Sequence, residues 1–463
     1  MTIQTKEIYA TQDLAEKIQG KVYLPDDAGY DQARAGWNLA FQQRPLIVVA
    51  AKTAEDIVEA VRYADKVGLW VGVQATGHGT LRPADDEMLI VTSGMNRVEV
   101  DPRAKTARTE AGAKWGAVLE KAQEHGLAPL LGSSPNVGAV GYTLGGGLGW
   151  LARKYGLATD SVIAFEVVTA NGEKLRLSKT ENASLLWALR GGGGGFAIVT
   201  AMEIQLYPVA NVYGGTLMYP PSLVKEVFQR YRQWIKTLPE EMTTSIRIAN
   251  FPPMDFLPEF LRGNSFVMVS GCYCGPVEEG ESLIQGWLDW KAPINNDFRI
   301  MPFREVASIS QDPVDPMPAY HNGAWVRDLP DDAIDTIVKF GLNVDGSSPL
   351  TITEVRHVGG AMARADATQS AFGYRGAPFV LDIVAAVPGP DMYPLIDGYA
   401  SEFKSALQPS LDQGVYMNFL SSKEVRGRTK EAFSEESYHR LVELKSHYDP
   451  KNLIRSGFNI KPT

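Results

Sequence analysis

The sequence is poor in the residues that build metal and disulfide scaffolds. Its 463 residues include only two cysteines and six histidines, and the histidines show no ligand spacing. These counts exclude a disulfide framework, an iron–sulfur protein and a zinc ribbon. Cys272 and Cys274 alternate along a predicted strand, so we interpret them as packed thiols rather than as a redox or metal pair.

Long apolar runs and excess positive charge are also missing. The longest apolar run, LIVVAA after Pro45, is far shorter than the roughly 20 residues of a membrane-spanning helix. The first twenty residues contain acids and no apolar signal segment. A formal net charge of −9 repels nucleic-acid and membrane phosphates. We therefore expect a cytoplasmic protein, either a monomer or a homodimer, with no nucleic-acid or membrane partner.

The remaining composition is that of a folded protein with several domains. Hydrophobic residues make up 44% and charged residues 21% of the chain. At roughly 150 residues per domain, this length predicts two or three domains or one large split domain. Leu46–Ala50 and Trp70–Val73 are predicted strands, and the helix between them begins after Thr53 and ends at Gly68. A second, weaker strand–helix unit spans 107–125, which favours tandem α/β subdomains.

Glycine is the one enriched residue, with 44 copies. Its densest stretch, 132–150, has almost no charge and carries aromatic and aliphatic residues, so it is not a flexible linker. Bare backbone of this kind can lie against a large flat cofactor. A tightly packed structural crossing is the alternative interpretation.

A second glycine cluster, at 190–196, matches the dinucleotide-binding spacing only formally. A helix predicted at Ser184–Arg190 precedes it and a strand predicted at Phe196–Leu206 follows it. A Rossmann fold needs the reverse order, because its phosphate meets the N-terminus of a helix. No GxxxxGK[ST] loop occurs in the chain. A classical nicotinamide-binding domain and a P-loop NTPase are therefore not supported.

The pattern changes beyond Pro208, where prolines become frequent and strands and helices alternate again. We predict strands at Phe266–Cys272 and Phe379–Val387. Helices are predicted at Leu223–Ile235 and Ser282–Trp290. The last fifty residues begin with a strand-like segment, Val415–Phe419, and end with a helix at Ser434–His447.

Five groups of residues, in order along the chain, carry a resemblance to a known family. They are Ala75–Gly79, Pro135–Gly138 leading into Gly141–Gly147, Arg190–Phe196, Tyr416–Phe419, and Tyr448–Leu453 with Asn459–Pro462. Together they resemble the FAD-binding oxidases of the vanillyl-alcohol oxidase and p-cresol methylhydroxylase superfamily, and more narrowly its berberine-bridge-enzyme-like branch.

The resemblance implies an α+β fold with a split FAD-binding domain and an inserted substrate domain. Residues 1–208 would form the two α/β subdomains of the FAD-binding domain, divided near residue 100. Residues 209–414 would form an antiparallel sheet backed by helices, and residues 415–463 would complete the FAD-binding domain.

The resemblance also implies FAD as the cofactor, attached once through His78. A neutral imidazole is a nucleophile near pH 7 and can add to the 8α carbon of the flavin. Doubly linked relatives use a cysteine where this chain has Ser134, so a single link is expected. The implied FAD-binding residues are Ala75, Thr76, Gly77, His78, Gly79, Ser134, Val137, Gly138, Gly141, Tyr142, Gly145, Gly146, Ile198, Asn418 and Asn459.

At the position of the catalytic base, this chain differs from the family that it resembles. Sugar-oxidising relatives use the second tyrosine of Tyr-x-Asn-Tyr, but Phe419 stands there and has no proton to exchange. Alkaloid-type relatives use a carboxylate on a strand after an aromatic–Arg pair, matched here by Tyr374–Arg375. Alignment with them puts Leu381 at the base position and predicts that Asp382 faces the other way.

Other residues are therefore candidates for acid–base chemistry. Glu354 and Arg356 share one face of a predicted strand, Thr351–His357, where Glu354 would be the base and Arg356 would orient an anionic group. An ion pair at a sheet edge is the alternative. Tyr416 is a further acid–base candidate or a packing aromatic, and Tyr320 and His321 are candidates for the cavity wall.

The expected function is a flavoprotein oxidase. It would take a hydride from a mid-sized organic substrate, such as a secondary metabolite, and pass electrons to O₂. Two alternatives remain open at this stage: a cyclisation with FAD as a scaffold and no net redox change, and flavin binding without catalysis.

Overall fold

In the computed structural model, which describes residues 11–255, 257–344, 346–455 and 457–463, the strands form three sheets that follow one another along the chain. The first has four strands in the order β1-β2-β4-β3, and all pairs except the antiparallel β1–β2 pair are parallel. Its strands are β1 (Lys21–Tyr23), β2 (Ile47–Ala50), β3 (Val71–Gln74) and β4 (Met88–Val91), and its helices are α1 (Thr11–Lys17), α2 (Tyr30–Arg34) and α3 (Ala54–Val67).

Local signals set the ends of α3 as the sequence predicts. Thr53 is the N-cap, and its side chain accepts the N–H of Asp56 at 3.2 Å. Gly68 ends the helix at φ 75°, a left-handed conformation that suits glycine.

The second sheet is antiparallel, with five strands in the order β5-β6-β9-β7-β8. The glycine cluster at 190–196 lies between helix and strand in the predicted order, which confirms that no Rossmann crossover is formed there. The elements are β5 (Val98–Asp101), β6 (Thr106–Glu110), α4 (Trp115–Gln123), α5 (Ala139–Leu144), α6 (Ala152–Tyr155), β7 (Val162–Val168), β8 (Lys174–Leu177), α7 (Ala183–Leu189) and β9 (Ile198–Gln205).

The third sheet has eight strands, all paired antiparallel. Its central path is β13-β10-β12-β11-β16-β17-β15, and β14 pairs with β10. The strands are β10 (Asn211–Tyr219), β11 (Met242–Asn250), β12 (Ser265–Tyr273), β13 (Asn295–Asn296), β14 (Arg299–Pro302), β15 (Ala319–Val326), β16 (Ile352–His357) and β17 (Phe379–Ala386). The helices are α8 (Val224–Trp234), α9 (Val277–Trp290), α10 (Ala307–Ser310), α11 (Asp331–Gly341), α12 (Ala361–Arg364) and α13 (Met392–Ala406).

Helices cover one face of this third sheet. Alternate strand residues such as Ile246, Val355 and Leu381 pack with Phe228 of α8 and Ile337 of α11 in one apolar core. The residues between them point to the opposite face. That face looks toward the two N-terminal sheets, so polar side chains on it can reach a shared cavity.

The C-terminal segment returns to the N-terminal sheets. Helix α14 (Glu424–Gly427) precedes α15 (Glu435–Tyr448), for which Ser434 is the N-cap, and Val71 pairs with Ile454 in an isolated bridge. The expected strand at Val415–Phe419 is wrong. Met417–Phe419 forms a 3₁₀ turn instead. The segment is held by side-chain hydrogen bonds with the glycine loop, which join the Tyr416 hydroxyl to Gly147 and Leu148 and Asn418 to Tyr142.

None of the helices in the described ranges is both long and apolar enough to cross a membrane.

Candidate active site

A cavity of about 510 Å³ lies between the glycine-rich loops of the first two sheets and the open face of the third. Most of the residues predicted to bind the cofactor line it. They are Ala75, Thr76, Gly77, His78, Gly79, Ser134, Val137, Gly138, Gly141, Tyr142, Gly145, Ile198 and Asn418. The three predicted catalytic residues, Glu354, Arg356 and Tyr416, also line it.

Two of the predicted cofactor residues are not part of the cavity wall. Gly146 packs behind it, where an added Cβ would lie 2.5 Å from the ring of Phe372. Asn459 is absent from the lining as well, and its Oδ1 is buried without a hydrogen-bond partner among the described residues. Gly146 therefore packs closely against Phe372, outside the cavity lining.

The glycines of the first loops leave room along the cavity. A Cβ at Gly79 or Gly141 would meet nothing within 4 Å, so both face open space. At Gly145, by contrast, a Cβ would collide with Oδ1 of Asn418. Asn418 in turn donates to the carbonyl of Tyr142 at 3.0 Å, which fixes the C-terminal turn against this loop.

His78 follows strand β3 and is half-buried at one end of the cavity. Burial lowers the pKa of its imidazole to about 4, the charge of Lys114 adds to this effect, and a backbone hydrogen bond with Asn136 opposes it. The ring is therefore neutral near pH 7 and retains a nitrogen lone pair. The indole of Trp37 stacks on it, with ring centroids 4.3 Å apart.

The opposite wall is a charged cluster on the third sheet, which we call the sheet cluster: Glu354, Arg356, Asp382 and His321. Arg356 Nε donates to Glu354 at 2.6 Å, and its Nη2 donates to Asp382 at 3.1 Å. His321 Nε2 is hydrogen-bonded to the other oxygen of Asp382. The strand register brings these side chains together. Glu354 of β16 pairs with Asp382 of β17, and His321 pairs with Val384, which lies two residues from Asp382 on the same face of β17.

The orientation expected for Asp382 is therefore wrong. Leu381 is fully buried in the helix-covered core, whereas Asp382 faces the cavity. Burial would raise the pKa of Asp382, but the charge and hydrogen bond of His321, together with the charge of Arg356, outweigh it and hold the pKa below its usual value. A lone acid within the apolar strand FVLDIVAA was a signal that this position needed a partner cation.

The burial of the sheet cluster argues against one of the two interpretations of Glu354 and Arg356. Glu354 is only 5% exposed, so the pair is not a surface ion pair at a sheet edge. Burial would lower the pKa of Arg356, but Glu354 and Asp382 raise it. Arg356 is thus a permanent cation that already holds two carboxylates.

Tyr416 is a buried hydrogen-bond hub rather than a simple packing residue. Its hydroxyl oxygen accepts the backbone N–H groups of Gly147 at 3.2 Å and Leu148 at 3.1 Å, and lies 3.3 Å from Nδ2 of Asn418. Burial raises its pKa to about 12, although these donors oppose that rise. The hydroxyl is protonated at neutral pH, so it can donate a hydrogen bond but is a poor base.

The neighbouring aromatics divide into lining and structural groups. The ring of Phe419 lies 4.6 Å from that of His321 and 5.4 Å from the guanidinium carbon of Arg356. Tyr320 also borders the cavity, but its hydroxyl donates to Asp397 at 3.0 Å and accepts from Asn322 at 2.9 Å. Tyr320 is therefore fixed by the helix layer.

FAD fits the residues that surround this cavity. Tyr142 lines the cavity, and its buried hydroxyl has no hydrogen-bond partner among the described residues. Such an orphaned group, next to glycine backbone that faces open space, suits a large polar and aromatic ligand. No group of three His, Cys, Asp or Glu side chains in the described ranges is arranged to hold a metal ion.

Comparison with known proteins agrees with this geometry. A family model described as "FAD binding domain" matches residues 45–178, and one described as "Berberine and berberine like" matches residues 415–461. The chain belongs to the berberine-bridge-enzyme-like branch of the vanillyl-alcohol oxidase and p-cresol methylhydroxylase superfamily. This oxidoreductase therefore depends on a flavin, namely FAD.

Individual relatives cover nearly the whole oxidoreductase. It is 28% identical to (R)-6-hydroxynicotine oxidase of Paenarthrobacter nicotinovorans, over 96% of this chain and 97% of that protein. It is 25% identical to xylooligosaccharide oxidase of Thermothelomyces thermophilus, over 90% and 87% of the two chains. Berberine bridge enzyme from Eschscholzia californica shares the fold, with a TM-score of 0.83, 20% identity, and 98% and 99% of the chains covered.

Proposed function

We propose that this oxidoreductase is an oxidase of a mid-sized, largely apolar organic substrate that carries a hydroxyl or amine group. The observation that carries the proposal is the sheet cluster, where two buried carboxylates face a cavity otherwise rich in aromatic and aliphatic side chains. Carboxylates accept hydrogen bonds, so they recognise a donor on the substrate. A secondary metabolite with one such group fits this wall.

When bound, FAD supplies a hydride acceptor at N5 and a route for two electrons to O₂. The chain's own residues handle the proton. We assign Glu354 as the group that takes the proton from the substrate hydroxyl or amine while the neighbouring C–H bond breaks. Arg356 holds Glu354 and Asp382 in place, and Tyr416 donates a hydrogen bond from the glycine-loop side. The substrate loses two hydrogens in total, and O₂ becomes H₂O₂.

We further propose one covalent link between FAD and His78. Its neutral imidazole supplies the lone pair that the bond requires. Such a bond would join the unprotonated ring nitrogen to the 8α carbon of the flavin; the other ring nitrogen and the 8α carbon would each lose one hydrogen, and O₂ would take up both as H₂O₂. Ser134 lines the same cavity and offers a hydroxyl, which is too weak a nucleophile for a second link.

Two of the three proteins described above are named as oxidases, which favours an oxidase over a cyclase. Anaerobic mixing with a panel of aromatic alcohols, phenols and cyclic amines distinguishes the two. Loss of the visible absorption of oxidised flavin, followed by H₂O₂ when air returns, supports the oxidase. Product without loss of that absorption refutes it. Glu354→Gln should slow flavin reduction while the FAD content stays at one per chain.

The covalent link has its own test. Acid-precipitated wild-type protein should keep its yellow colour and fluoresce on a denaturing gel. His78→Ala should release its flavin into the supernatant, whereas the matched His439→Ala variant, at an exposed position on α15, should retain it. Retention by His78→Ala would identify another attachment residue.

A further inference from the structure

The imidazole of His78 lies flat against the indole of Trp37. Their ring centroids are 4.3 Å apart and the ring planes differ by 12°. Trp37 lines the same cavity, but it lies outside every motif that carries the family resemblance. Few orientations of the imidazole would preserve this contact. The stacking therefore restricts how the His78 ring can lie in the cavity.

Backbone contacts impose this stacking. The segment Gly36–Asn38 runs beside Thr76–His78, with Trp37 N–H donating to the Thr76 carbonyl at 2.8 Å and Asn38 N–H donating to the Gly77 carbonyl at 3.3 Å. Gly77 has φ 75°, and a Cβ there would collide with the Cα of Gly36. Two glycines thus allow the close approach that brings the two rings together.

The indole is also anchored on its far side. Trp37 Nε1 donates to the carbonyl of Val314 at 3.0 Å, and the carbonyl of Trp37 accepts the N–H of Met317 at 3.1 Å. Both partners belong to the segment that leads into β15 of the third sheet. Trp37 is therefore held from two sides and can act as a fixed platform.

We propose that Trp37 is a positioning residue for the covalent attachment of FAD, because it fixes the plane of the His78 ring. This inference rests on the proposed link at His78. The torsion that turns a histidine ring has broad minima, so the rotamer alone does not fix the ring plane. A flat neighbour does, and it keeps the unprotonated nitrogen directed at one point in the cavity.

The size of the effect follows from the geometry that bond formation needs. A nucleophile must approach its target within a narrow range of distance and angle, and a displacement of 1 Å costs about 10²-fold in rate. Removing the indole leaves the hydrogen bond with the Asn136 backbone as the remaining restraint on the imidazole, and a single such bond allows the ring to tilt. We expect the rate of attachment to fall by roughly that factor, while FAD binding, which involves many other residues, is retained.

The test uses full-length protein prepared from riboflavin-limited cells and supplied with FAD. Trp37→Ala and Trp37→Leu remove the flat ring, Trp37→Phe keeps a smaller one, and Trp290→Ala removes a partly exposed indole on α9 as the matched control. Total FAD per chain and the acid-stable fraction are measured over time. We expect slow attachment in the Ala and Leu variants, and rates near wild type in the Phe and control variants.

The outcomes separate this inference from the proposed function. Attachment at the wild-type rate in Trp37→Leu overturns the role of Trp37 and leaves the His78 link intact. A parallel loss of total FAD in that variant also overturns it, because the indole would then serve the fold. Wild-type protein without acid-stable flavin overturns the link and this inference together, whereas flavin reduction by substrate still tests the oxidase.

Discussion

The C-terminal segment is held by a buried ion pair whose removal should destabilise the oxidoreductase strongly. Lys445 Nζ lies 2.6 Å from Asp449 Oδ2, and the two side chains are 1% and 0% exposed. Nζ also donates to the carbonyls of Gly195 at 2.6 Å and Ile454 at 3.0 Å. The pair thus joins α15 to two segments that line the cavity, one of them at Gly194.

The substitution Lys445→Met keeps a long side chain but removes its charge. Asp449 still accepts the N–H groups of Leu453 at 2.7 Å and Ile454 at 2.9 Å, yet it becomes a buried charge without a cation. Removing one partner of a buried ion pair costs about 3–5 kcal/mol. Each kcal/mol lowers Tm by roughly 2–4 °C in a unit of about 200 residues, so we expect a decrease on the order of 10 °C.

Circular dichroism melting of the holoprotein measures this change, with release of non-covalent FAD as a second readout in the His78→Ala background. Lys451→Met is the matched control, because Lys451 pairs with Asp65 at 2.7 Å on the same segment but is 71% exposed. An exposed pair contributes about 0–1 kcal/mol. Lys445→Met/Asp449→Asn should recover part of the loss. Equal Tm values for Lys445→Met and Lys451→Met would refute the reasoning.

Two further substitutions test the cavity wall. Tyr416→Phe leaves the N–H groups of Gly147 and Leu148 without their acceptor. The free energy of unfolding, measured by urea titration, should fall by about 1–3 kcal/mol while the FAD content stays unchanged. Unchanged stability would mean that water replaces the hydroxyl. His321 and Arg356 lower the pKa of Asp382, whereas burial opposes them. Arg356→Met removes one of these two charges and should therefore raise that pKa. A lowered carboxylate pKa stabilises the fold above the unfolded-state pKa, and this stability is lost as pH falls through the folded-state pKa. In a calorimetric series at decreasing pH, the Tm of the variant should therefore begin to fall at a higher pH than the Tm of wild type. Identical dependence of the two Tm values on acidic pH would contradict this.

Elements with local end signals were predictable from sequence. Helix α3 begins after Thr53 and ends at Gly68 because the capping side chain and the left-handed glycine act within a few residues. The conformation of Val415–Phe419 was not predictable from the sequence, since its alternating pattern is compatible with both a strand and a turn. Contacts far along the chain decide its form: Tyr416 bonds to Gly147 and Leu148, about 270 residues away.

The site shows the same division between local and distant information. The glycine-rich loop at 132–150 was predictable as cavity lining because its composition is unusual, and His78 was predicted from the family resemblance. Asp382 was misplaced by one residue, and in a strand one residue reverses the face. Trp37 carried no signal at all. Its stacking on His78 depends on the approach of Gly36 to Gly77, which only the fold brings about.

Phe419 gives a physical reason why the ionisable groups of this cavity lie on the sheet rather than on the C-terminal turn. Its ring packs against His321 and Arg356 and keeps water from one side of both. Charge pairs interact more strongly where water is excluded. With phenylalanine there, Asp382 stays paired with His321 and Arg356, which supports our proposal that Glu354 accepts the substrate proton.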